Sequence, residues 1–244
     1  MPVYRVNRTA QSYGQAIGIL MIDRRVPFVP GDVGNAGTFG YPVIYRVVPG
    51  LDADACLKGA PEFEGPVRRA AQALVDEGVR GISSNCGFML RYQNAVRDAV
   101  DVPVCLSSLL QLPFISRTLR SGQPIGIVTA DSNRLSEAFL RSAGVAVDNP
   151  LVIHGMQDAP EFASATRTSA GTLDTDVVSE ETVGVARGMV DGCPDMGAVL
   201  LECSMLAPYA RAVQDAIHRS VYDFVTMIDF MQSGTHSQPP QGFM

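Results

Sequence analysis

The chain has 244 residues, 46% of them hydrophobic, and a net charge of −6 with a pI near 5.0. That suits one two-lobed domain with a sizeable core, and it excludes a nucleic-acid or anionic-membrane role resting on a basic patch. Five cysteines (Cys56, Cys86, Cys105, Cys193 and Cys203), odd in number and without CxxC spacing, argue against a secreted disulfide framework.

Residues 1–15 read as a polar, irregular arm with Arg5 and Arg8 and no apolar signal core. No uncharged apolar run approaches a membrane span, so cytoplasmic residence without a membrane partner is the expectation. Residues 16–22 form a short, continuously apolar run that predicts a buried parallel strand ending at Asp23. A long loop rich in Gly and Pro follows, from Pro30 to Gly40, of the kind that often serves as a lid or binding loop. Strands are predicted over 42–48, 81–84 and 102–106, with helices over 62–77, 92–100 and 109–119. The same succession then recurs. Strands are predicted at 125–131, 151–155 and 198–201, and helices at 133–143, 180–190 and 209–217, with 222–231 extending the last of these or adding another. Residues 233–244, with Pro239-Pro240, read as a disordered tail.

The recurrence is an internal duplication. Ile17, Gly18, Ile19 and Asp23 reappear 108 positions later as Ile125, Gly126, Ile127 and Asp131. Cys86 reappears 117 positions later as Cys203, and Tyr92, Ala95, Val96 and Asp98 as Tyr209, Ala212, Val213 and Asp215. The second half therefore carries nine extra residues between strand and cysteine, for which the stretch 164–175 is a good place. Strands alternating with helices give an α/β class: two pseudo-symmetric lobes, each a mainly parallel sheet flanked by helices. The expected division is 1–106 plus about 214–232 for the first lobe and 107–213 for the second. Ligands of such sheets bind at the carboxyl ends of the strands, which places the site in the cleft between the lobes.

Cys86 and Cys203 both stand at strand ends before a helical segment. Nearby backbone N–H groups and a helix N-terminus there lower a thiol below about 8.5 and favour thiolate. Two such groups on opposite sides of a carbon acid can remove a proton and deliver one, with the amides of Gly87 and Ser204 stabilising enolate-like charge. No cofactor is required. Cys56, Cys105 and Cys193 read as inert core filler. Asp23 and Asp131 read equally well as turn caps, and Glu202 as solvated or as orienting a neighbour. His154, His218 and His236 are scattered, so no histidine metal site is expected.

At these residues the chain resembles the aspartate/glutamate racemase superfamily. The resemblance implies two pseudo-symmetric α/β lobes, no cofactor, and one catalytic cysteine per lobe, at Cys86 and Cys203. It implies substrate contacts from Asn85, Gly87 and Phe88, and from Ser204 and Met205. Thr129, Asp131 and Ser132 match a second-lobe loop that helps hold substrate. Asp23, Arg24, Thr38 and Tyr41 lie in or beside its first-lobe counterpart by position. The amino-acid racemases usually follow the first cysteine with Asn-Thr and the second with Thr, whereas Gly87-Phe88 and Ser204-Met205 stand here. The stretch from Cys86 to Gln93, with Pro30-Gly31-Asp32 and residues 45–50, looks more like the algal dimethylsulfoniopropionate lyase branch.

The expectation is an enzyme that removes the proton α to the carboxylate of a small molecule, as a racemase or epimerase of Asp/Glu-type amino acids. The alternative keeps the same first step and expels a sulfide from the β-carbon. Hydantoin-racemase-like or decarboxylase-like chemistry, or a non-catalytic binding or redox-sensing protein, completes the range. A homo-oligomer, dimer or tetramer, is expected from the apolar content.

Overall fold

The computed structural model describes residues 3–168, 171–235, 237 and 242. Its first half holds the strands β1 (Ile17–Ile22), β2 (Val43–Val48), β3 (Gly81–Ser84) and β4 (Val104–Cys105), with helices α1 (Ala53–Lys58), α2 (Glu64–Asp76), α3 (Gln93–Arg97) and α4 (Leu112–Thr118). The second holds β5 (Ile125–Thr129), β6 (Leu151–Gly155), β7 (Ala198–Leu201) and β8 (Ser220–Tyr222). Helices α5 (Glu137–Ser142), α6 (Pro160–Ala163), α7 (Thr175–Gly192), α8 (Ala210–Ile217) and α9 (Phe224–Thr235) belong to the same stretch.

The strands make two four-stranded sheets of the same order, β2-β1-β3-β4 and β6-β5-β7-β8, and every pairing is parallel. The α/β class with two pseudo-symmetric lobes is the observed fold. Each sheet is built on a fully buried strand, β1 or β5. Their continuous apolar runs follow from cover on both faces. The repeated glycine has a packing reason. A Cβ at Gly18 would lie 2.9 Å from Leu74 Cδ1 of α2, and one at Gly126 would lie 2.7 Å from the Met196 sulfur, so each glycine admits the layer packed on its strand. The other face of the first sheet is covered by α9, whose Phe224, Met227, Ile228 and Met231 pack with Ile17, Ile19 and Met21.

Several boundaries differ from expectation. The three residues Ser220–Tyr222 are a strand paired with β7, so the chain leaves the second sheet after Tyr222 and not near 214. The run is too short to show a period. Helix α9 continues to Thr235, into the expected tail, and of the remainder all but 237 and 242 lie outside the described residues. Helix α1 was not anticipated, although Asp52 caps its N-terminus by accepting from Ala55 N, and Gly59, at φ 64°, closes it in the left-handed region. The helices expected to start at 92 and 209 are preceded by six-residue 3-10 runs, Gly87–Tyr92 and Ser204–Tyr209. Tyr92 and Tyr209 end these runs with nearly the same backbone, φ −99° and −100°, ψ 1° in both. The 108-residue offset holds through β6, since Ile17 pairs with Val43 and Ile125 with Leu151. The inserted residues follow it: α7 has 18 residues against 13 in α2, and a π-helical turn, Ser164–Thr168, precedes it.

The Gly/Pro-rich loop after β1 is pinned down. Asp32 and Val33 are buried, the Asp32 carboxylate accepts from Gly34 N at 2.6 Å, and Gly31, at φ 97°, sits so close to Pro208 that a Cβ would lie 2.8 Å from its Cα.

Candidate active site

A cavity of about 720 Å³ opens at the carboxyl ends of both sheets. Ten of the residues expected at the site line it: Asp23 and Arg24 after β1, Asn85, Cys86, Gly87 and Phe88 after β3, Asp131 after β5, and Cys203, Ser204 and Met205 after β7. The two cysteines thus face one space from equivalent positions. The segments that carry them are bonded to each other directly: the buried Ser204 hydroxyl donates to the Asn85 carbonyl at 2.8 Å. Asn85 is fixed in turn, its side-chain oxygen accepting from Ile22 N at 2.9 Å. From the rear, the Ser108 hydroxyl reaches the carbonyls of Leu201 and Glu202 at 3.2 and 3.3 Å. Arg24 donates to the Thr166 carbonyl, joining the first-half loop to the second half.

The other expected contacts lie elsewhere. Thr129 is fully buried behind the wall and donates to Glu202 Oε2 at 2.8 Å. Ser132 also stands back, its N–H donating to Gln157 Oε1 at 3.1 Å. Thr38 and Tyr41 do not line the cavity. The Thr38 hydroxyl bonds to the Asp32 carbonyl at 2.6 Å, and Tyr41 donates to Asp229 at 2.6 Å. The loop that carries them turns toward α9, where Phe39 and Tyr41 pack. Asp23 and Asp131 hold turns as well as lining the space: Asp23 accepts from Gly50 N at 2.9 Å and Asp131 from Asn133 N at 3.0 Å.

The electrostatics correct one expectation. Cys203 is not a thiol lowered by its position. Burial, and then the adjacent Glu202, push it well above its ordinary value. The helical run that follows is one short 3-10 segment, whose dipole is too small to offset desolvation. Cys203 is therefore held as a neutral thiol.

Glu202 was left undecided by the sequence. It is 1% exposed, and burial raises its carboxyl to about 7 against bonds from Thr129 and the Ala130 N–H. Its Oε1 has no hydrogen-bond partner among the described residues and lies against Gly87, where a Cβ would collide with it and stand 2.7 Å from the Glu202 carbonyl. Gly87 is thus required for the approach of the two halves.

Two further features were missed. Helix α1 contributes to the wall through Asp52, Ala53, Asp54 and Leu57; the cap residues Asp52 and Gly59 were the readable signal. Cys56, taken as core filler, is indeed fully buried, yet its thiol lies 3.8 Å from the Cys86 sulfur, toward which it donates. All five cysteines are free. Among the described residues no three His, Cys, Asp or Glu side chains converge as a metal site, and no helix is long and apolar enough to cross a membrane.

No protein-family model matches the chain. It is 33% identical over 234 residues to a dimethylsulfoniopropionate lyase of Durusdinium sp. clade D, covering 93% of this chain and 77% of that one. It is 32% identical over 237 residues to dimethylsulfoniopropionate lyase 7 of Emiliania huxleyi, covering 93% and 69%. Among solved structures, unliganded arylmalonate decarboxylase superposes with a TM-score of 0.59 at 14% identity, covering 92% of this chain and 94% of that one. Glutamate racemase from Francisella tularensis, in complex with D-glutamate, superposes with a TM-score of 0.55 at 13% identity, covering 91% and 80%. By sequence, then, the chain belongs to the dimethylsulfoniopropionate lyase family, and its fold is that of the aspartate/glutamate racemase superfamily.

Proposed function

We propose that the protein is a lyase that converts dimethylsulfoniopropionate to dimethyl sulfide and acrylate. The observation that carries the reading is the pair Cys86 and Cys203, lining one cleft from equivalent positions of two halves, in a chain a third identical to such lyases. A cysteine thiolate takes the proton from the carbon α to the carboxylate. The electron pair of that C–H bond becomes the new C=C bond, and the C–S bond at the β-carbon breaks with its electrons leaving on sulfur. A sulfonium cation becomes neutral dimethyl sulfide, the cysteine becomes a thiol, and its proton returns to solvent, so charge and atoms balance. Arg24, on the cleft wall with Arg25 and Arg134, is a cation suited to the substrate carboxylate. The first amides of the 3-10 runs, at Gly87 and Ser204, are suited to the charge that develops there.

The expected amino-acid racemase shares the first step. It differs in needing the opposite thiol to return a proton to carbon, which an elimination does not. Its support is the fold, together with the same cysteine pair. The two outcomes separate in one experiment: reduced enzyme is given dimethylsulfoniopropionate, and in parallel single enantiomers of aspartate and glutamate. Dimethyl sulfide in the headspace with no loss of optical purity supports the lyase. Racemisation without sulfide release overturns it.

A further inference from the structure

The thiol beside Cys86 has no counterpart in the sequence pattern, because α1 has no cysteine at the corresponding place in the second half. Cys56 sits in the middle of α1, fully buried, with its sulfur 3.8 Å from that of Cys86. The helix is fastened to the segment that follows Cys86. Arg91 Nε donates to the Leu57 carbonyl at 3.0 Å, and the Tyr92 hydroxyl donates to the Ala60 carbonyl at 3.0 Å. These two bonds tie the segment after Cys86 to the chain just after Cys56, and so hold the backbones that carry the two sulfurs together.

We propose that Cys56 is a positioning residue for Cys86: its S–H donates to the Cys86 sulfur, holds it at the cleft and selects it, not Cys203, as the group that accepts the substrate proton. This rests on the elimination reading of the same cleft and adds to it which sulfur is the base. An S–H group is a weak donor to a neutral acceptor, but a bond to an anionic acceptor is stronger, so the contact favours the thiolate form of its partner. Cys56 is pushed well above its ordinary value, first by its bond to Cys86 and then by burial, so it keeps its proton and is the donor. The charged and titratable groups around the pair include Glu202 and Cys203 from the second half, Arg91 and Tyr92 from the run after Cys86, and, on the walls of the cavity that Cys86 lines, Asp23, Arg24, Asp52 and Asp54. Glu202 opposes charge on that side of the cleft, and Arg91 offsets it. Cys203, half-buried beside Glu202, is left as the thiol.

The test uses two pairs of variants that differ in the donor and little in size: Cys56→Ser against Cys56→Ala, and Cys56→Thr against Cys56→Val. In each, the pH dependence of Cys86 alkylation by iodoacetamide is read by mass spectrometry of its peptide, with circular dichroism as the check of folding. The Ala and Val variants should titrate Cys86 about one pH unit higher than their hydroxyl partners, or about tenfold less thiolate at neutral pH. Their kcat for dimethylsulfoniopropionate should fall by a similar factor with KM unchanged. Members of a pair that titrate Cys86 at the same pH overturn the proposal, and if one pair does not fold the other decides. The alkylation readout needs no substrate, so a wild type that titrates as proposed yet releases no dimethyl sulfide refutes the lyase reading and leaves the thiol pair standing.

Discussion

Replacing Glu202 by glutamine removes one titrating group from the cleft wall at almost no change in volume. The amide oxygen can still accept from the Thr129 hydroxyl and the Ala130 N–H, as Oε2 does now. Burial holds the carboxyl at about 7, against an ordinary 4.5, so the folded chain binds this proton more tightly than the unfolded chain. The stability this gives is complete below about pH 4.5 and is lost as the pH rises through about 7. At about 1.36 kcal/mol per pH unit, the loss approaches 3 kcal/mol by about pH 8. Urea unfolding of wild type and Glu202→Gln at a series of pH values from about 5 to about 8 measures it. The wild type should lose about 3 kcal/mol more than the variant across that range. Asp32, raised by burial to about 6, adds its own fall to both proteins and cancels in the difference. Parallel pH profiles for the two proteins would refute the reasoning, because they would show that Glu202 titrates alike in folded and unfolded chains.

The same variant should lower the pH at which Cys203 is alkylated, since the Glu202 charge is the second cause of that raised thiol; an unchanged midpoint contradicts this. Gly87→Ala should cost about 2–3 kcal/mol by overpacking against Glu202, read as a shift in urea midpoint, and a wild-type midpoint would show that the halves can part without cost. Ser204→Ala removes the donor to the Asn85 carbonyl and should cost about 1–2 kcal/mol, with a fall in kcat larger than any rise in KM. Asp52→Ala removes the cap of α1 and should cost about 1 kcal/mol, with a raised alkylation midpoint of Cys86 because Cys56 is less firmly held.

The duplication made most of the architecture legible. The recurring Ile-Gly-Ile run marked β1 and β5, and the recurring cysteine marked the ends of β3 and β7, so the cleft followed from the rule that parallel sheets bind at strand ends. Strand β8 and helix α1 escaped because each is too short for a period to emerge; α1 could have been found from Asp52 and Gly59 alone. Thr38 and Tyr41 were assigned by position in a long loop, and position says nothing of which way a loop folds: Asp32 and Phe39 bury themselves and carry the loop toward α9. Thr129 pointed to the right place one layer too deep. Cys56 and Glu202 could not be assigned from the sequence, because what distinguishes them is proximity, to Cys86 in one case and to Gly87 across the cleft in the other. The direction of the Cys203 shift was misjudged for a related reason. A strand end before a helix suggests a stabilised thiolate, but desolvation beside a carboxyl outweighs a short 3-10 run.

Proton transfer by the cysteine pair is tested most directly in D2O. Wild type, Cys86→Ser and Cys203→Ser, each reduced and confirmed as folded by circular dichroism, are given dimethylsulfoniopropionate and followed by proton NMR. The account predicts acrylate and dimethyl sulfide from the wild type, with turnover lost in Cys86→Ser, whose thiolate is the base, and retained in Cys203→Ser, since an elimination does not need the opposite thiol to return a proton. Product formed at the wild-type rate by Cys86→Ser would contradict it.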